Sequence, residues 1–95
     1  MPPVDSTRQE WEEGHRLVDA EPDRRARNRL LEQVGLVRDE LRRRIGQTFT
    51  LAELDQAYRD ADAWVGETID DHRAAAVVTA AAFHLYSRGA IDYAP

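Results

Sequence analysis

The sequence predicts an all-α protein: a small bundle of three to four helices around a buried, alanine-rich C-terminal helix. Three observations carry that expectation. Apolar residues recur at spacings of three and four through most of the chain. Residues 74–87 carry no formal charge, although 33% of the chain's residues are charged. No strand-like alternation or internal repeat stands out. A helix that is apolar nearly all round is a buried helix, and 74–87 is too short to span a membrane, which takes roughly 20 apolar residues.

Residues 1–5 contain Pro2 and Pro3 and little to bury, so they read as a flexible N-terminal arm before a single domain over 6–95. Ser6 or Asp5 is placed to cap a first helix running to about Asp19, with Glu10, Glu12 and Glu13 near its positive end. Its inward face is Trp11, His15 and Val18, with Leu17 alongside. Gly14 weakens that helix by roughly 1 kcal/mol relative to alanine. Pro22 suits the first turn of a second helix, expected from about Pro22 to Ile45. Leu30, Val34, Val37, Leu41 and Ile45 form its apolar stripe, widened by Leu31, and the near-3.5 spacing favours near-antiparallel packing. Leu36 lies off the stripe beside Gly35; a single stray leucine is first of all an ordinary surface residue, and a second contact face is the alternative.

Gly46 ends the second helix. Thr50-Leu51-Ala52-Glu53 is a capping box, with Phe49 and Leu54 placed as a hydrophobic staple. A third helix then carries Leu51, Leu54, Tyr58, Ala61, Val65 and Ile69 inward, with Ala57 and Trp64 at the edge. Glu53, Asp60 and Glu67 line its outer side, which is first of all a solvated acidic face. Asp70 or Asp71 caps the last helix. On that helix Ala74, Val78, Ala81 and Leu85 share one face, with Val77 at its edge, while Phe83 points the other way with Ala76 and Ala80. Gly89 is the expected C′ residue, and Ile91 and Tyr93 are expected to fold back onto the bundle.

Composition bounds function more by exclusion than by signal. With no cysteine, disulfides, thiolate ligands and thiol nucleophiles are ruled out. The N-terminus has neither the basic nor the apolar region of a secretory signal, so the expected location is cytoplasmic, away from membranes. All 13 basic residues are arginine, and the net charge is −5. That charge is uneven: residues 1–22 carry −4, residues 23–45 carry +4 and residues 46–95 carry −5. The basic segment is the second helix. Its arginines are expected first to pair with the acidic helices beside them and with Asp39 and Glu40. A docking surface for an acidic protein is the next reading. Nucleic acid comes last, because a helix-turn-helix here would present Glu53, Asp60 and Glu67 to phosphates.

No motif with specific chemistry appears. Glu12-x-x-His15 has the spacing used in di-iron bundles, but Ile69 and Ala81 stand where a second motif would need its acid, so no metal or other cofactor is expected. His84, on the most apolar helix, reads as a core-edge histidine, with no nucleophile or base partner supplied by the sequence. Arg42-Arg43-Arg44-Ile45-Gly46 looks superficially similar to the end of the long first helix of chorismate-mutase-type bundles. Those bind a dicarboxylate with inward arginines and a lysine, which this chain lacks. The expected function is therefore a non-enzymatic interaction or regulatory protein that self-associates or docks on a larger protein. Its candidate interaction surface is Leu36, Arg42, Arg43, Phe83 and His84. The argument for Phe83 is the two-sided apolarity of the last helix in a chain too small to cover both sides easily, which leaves the Phe83 side to helix one with Trp11 or to a second molecule.

Overall fold

In the computed structural model, which describes residues 3–88, five α-helices follow one another: α1 Pro3–Asp19, α2 Arg24–Ile45, α3 Leu51–Asp60, α4 Asp62–Thr68 and α5 His72–Ser87. The all-α expectation holds, with five helices in place of three to four. The extra one arises at Ala61. Its N–H bonds the Tyr58 carbonyl at 3.3 Å, a tightened turn that divides the expected third helix into α3 and α4. Backbone direction changes little there, since Ala61 keeps helical angles (φ −63°, ψ −35°). At the N-terminus α1 begins at Pro3, so Asp5 and Ser6 lie within the helix instead of capping it.

α5 is the axis of the molecule. Six consecutive residues, from Val78 to Phe83, are buried, which a helix achieves only when neighbours cover it on every side. α1 lies along it most extensively and α2 next, while α3 and α4 close the remaining flank. The caps are as the residues dictate. Asp71 accepts hydrogen bonds from the N–H groups of Arg73 (2.9 Å) and Ala74 (3.3 Å), starting α5. The Thr50–Glu53 box is closed in both directions: Glu53 N–H to Thr50 Oγ1 at 3.2 Å, and Thr50 N–H to Glu53 Oε1 at 3.0 Å. Gly46 takes a positive φ of 79°, a conformation that favours glycine, and its carbonyl accepts a 2.6 Å hydrogen bond from the Tyr86 hydroxyl. Tyr86 also stacks on Phe49 with centroids 4.8 Å apart, which ties the end of α5 to the α2–α3 turn. The expected Gly89 cap and the packing of Ile91 and Tyr93 fall outside the described residues.

The alanines of α5 have a geometric cause. Gly14, on α1, faces Ala80 and Ala81 so closely that a Cβ added there would overlap the Ala80 methyl and stand 2.9 Å from the Val77 carbonyl oxygen. The two helices touch nearly backbone to backbone, which only small side chains permit. The glycine that weakens α1 as an isolated helix is thus the residue that lets it dock. Trp11 and Val18, one turn to either side, are each 1% exposed and complete this interface.

Candidate docking surface

The face of α5 carrying Phe83 is the one that the sequence leaves to helix one or to a second molecule. It is covered from within. Phe83 is fully buried, with the Trp11 ring 5.5 Å from it and the Tyr58 ring 5.0 Å from it in an edge-on arrangement. Trp11 and Tyr58 also meet each other edge-on at 5.5 Å, so three aromatic rings close around one point. Phe83 therefore leaves the list of surface residues. The geometric reason is that the close approach at Gly14 brings Trp11 onto it. Tyr58 in turn reaches Glu10: its hydroxyl donates to Glu10 Oε1 at 2.6 Å, and burial together with that carboxylate pushes the phenol well above its usual range.

His84 is half-buried and lies 4.8 Å from His15 across the α1–α5 seam, ring against ring. Burial, then the nearby His15 and then Arg88 push it below the ordinary histidine value, against a weaker opposite pull from Glu12. His15 itself meets Asp19 at 3.4 Å. A shallow groove of about 540 Å³ runs here, lined among others by Glu12, Arg16 and the two imidazoles. Among the described residues no group of three histidine, cysteine or acidic side chains is arranged to hold a metal ion. A second cleft, about 610 Å³, lies against α3, α4 and the first half of α5, where Glu10, Tyr58, Asp62, His72 and Thr79 converge. Two of its polar groups have partners within the chain: Tyr58 with Glu10, and the Thr79 hydroxyl with the Ala75 carbonyl at 2.6 Å.

The outer face of α2 is different. Leu36, Arg42 and Arg43 are exposed there, as the sequence suggested. Arg43 and Arg44 share one carboxylate, Glu40, at 3.4 and 2.7 Å, and Arg44 lies over the Trp64 ring at 4.9 Å. Among the described residues Arg24, Arg25, Arg29, Arg38 and Arg42 have no carboxylate within ion-pair distance. The expectation that α2 pairs with the acidic helices beside it is thus corrected: its ion pairs stay within the helix. The reason is directional. The neighbouring helices pack on the side of Val34, Val37 and Leu41, and Arg25, Arg29, Arg42 and Arg43 lie more than about 100° round the helix from it. For the same reason Arg42, Arg43 and Arg44 are exposed and build no inward cradle of the chorismate-mutase kind.

Leu31 is the residue that the apolar stripe misassigned. It is 47% exposed; Leu36, five residues on and so about 140° further round the helix, is 55% exposed. Arg24, Asn28, Leu31, Gly35, Arg38 and Arg42 follow one another at spacings of four and three, the period that keeps one seam of a helix facing a second helix. That outer seam was visible in the sequence, beneath the stronger inner stripe. No helix of the described residues is long and apolar enough to cross a membrane. Compared with known proteins, the chain matches no family model, no curated protein and no solved structure, so the function is argued from this geometry.

Proposed function

We propose that the chain is a non-enzymatic interaction protein that docks an acidic protein surface through the outer face of α2. The single observation behind this is the set of arginines without carboxylate partners along the seam of Leu31. A helix whose charges served only its own fold would place them against the acidic helices of the same chain. Surface pairs contribute below about 1 kcal/mol each, so a face of this kind supports specificity and rate of encounter more than stability. Nucleic acid is the weaker occupant, because Glu32 and Asp39 interrupt the arginines on the same face. The test is a photo-reactive side chain at position 31, compared with one at the exposed Ala63 on α4, in the native cell. Salt-sensitive protein adducts from position 31 alone, lost in Arg38→Glu/Arg42→Glu, are the expected result. Equal labelling from both positions would defeat the reading.

A further inference from the structure

We infer that the occupant of the α2 face is a second copy of this chain, seated through the acidic flank of α1 that carries Leu17. This rests on the docking reading above and names its partner. Among the described residues the exposed large hydrophobic side chains are three: Leu17 at 47%, Leu31 at 47% and Leu36 at 55%. Two lie on α2 and one on α1. The helices carrying them have opposite charge, with eight arginines against three acids on α2 and five acids against two arginines on α1.

The spacing on the two faces is complementary. Glu10, Glu13 and Leu17 follow one another at intervals of three and four on one flank of α1, as Gly35, Arg38 and Arg42 do on α2. Laid antiparallel with Leu17 over Gly35, the partner's α1 brings its Glu13 level with Arg38 and its Glu10 level with Arg42. Beyond the adjacent backbone of α2, no atom lies within 4 Å of where a Cβ on Gly35 would stand, so it leaves a hole beside Leu31 that a leucine fills. Nothing in the fold requires glycine there, in contrast to Gly14. Glu10 gives one oxygen to Tyr58 and keeps the other, and Glu13 is held meanwhile by Arg16 of its own helix. Both faces are on every molecule, and a twofold axis that pairs each α1 flank with the α2 face of the other copy makes the contact twice and closes a dimer.

Sedimentation equilibrium on the full chain tests this. At roughly 100 μM protein and about 0.1 M salt the expected species is a dimer. It shifts toward monomer at about 1 M salt, as the screening length falls from roughly 10 to 3 Å. Leu17→Glu and Arg38→Glu each weaken the dimer at least ~10-fold, and the double variant Glu13→Arg/Arg38→Glu recovers most of that loss, as coupled neighbours do. All three positions are exposed, and unchanged helical circular dichroism confirms that the variants fold. A wild-type monomer under the low-salt condition overturns the inference, as does a dimer unmoved by Leu17→Glu, or species that keep growing with concentration. None of these touches the docking reading, which stands or falls on what position 31 captures in the cell.

Discussion

Alanine at Gly14 should destabilise the protein, although alanine is the better helix former. By propensity alone the substitution stabilises α1 by about 1 kcal/mol. Against this, the new methyl overlaps Ala80 Cβ and sits 2.9 Å from the Val77 oxygen and 3.1 Å from the Ala81 nitrogen. Carbon atoms pack best at about 3.5–4.0 Å, so α1 must lift away from α5 by about an ångström. Two of the three crowding atoms are backbone and the third is a Cβ, and none can move aside by changing rotamer. The cost therefore belongs at the upper end of the ~1–3 kcal/mol range for overpacking, leaving a net loss of about 2 kcal/mol. For a chain of this size that is a fall in Tm of about 10 °C. Gly35→Ala is the internal control, because an added Cβ there meets nothing in its own chain. Measured by thermal melts in dilute protein, it should raise stability by about 0.5–1 kcal/mol. If Gly14→Ala melted at or above the wild-type temperature, the close approach of α1 to α5 would be refuted.

The same architecture predicts three further outcomes. Phe83→Ala should cost about 3–5 kcal/mol in urea unfolding, the loss of a ring packed by Trp11 and Tyr58, and in a marginal domain that approaches complete unfolding. Thr50→Ala opens the capping box and should cost about 1 kcal/mol, with the loss read as a lower urea midpoint at unchanged slope. Stability should also fall on acidification through the histidine range. The unfolded chain protonates His84 near pH 6.5, while burial, His15 and Arg88 delay that protonation in the folded protein. The unfolded state then binds more protons below about pH 6.5, and the loss levels off once pH passes below the lowered folded value. Replacing His84 with glutamine should flatten that part of the stability profile relative to wild type, and an unchanged slope would place the acid sensitivity elsewhere.

Much of the fold was legible because it follows from local chemistry. The Thr50–Glu53 box, the Asp71 cap and the stripe Val34–Val37–Leu41 all rest on neighbours in sequence, and each is where the pattern put it. What was not legible depends on distances between helices. Gly14 reads as a weakness until the helix beside it is known to present Ala80. The Phe83 side of α5 reads as covered either by helix one with Trp11 or by a second molecule until that approach is known, and no spacing within α5 announces Tyr58 arriving from α3. Leu31 was assigned to the core because a helical wheel gives angles and not the width of the neighbour, and α5, rich in alanine, is narrow. The candidate surface was half legible. Leu36, Arg42 and Arg43 are exposed as expected, but whether the arginines had partners within the chain could only be settled by where the acidic helices lie.

With α5 covered by its own chain, docking falls in our proposal to the outer face of α2. Hydrogen exchange at high and low protein concentration measures this most directly. The amides of residues 78–83 should be the slowest in the molecule at both concentrations, since α1, α2 and α3 protect them within one chain. Only segments on the outer faces of α1 and α2 should change with dilution. Protection at 78–83 that disappears on dilution would mean that another molecule covers Phe83, and would contradict the account.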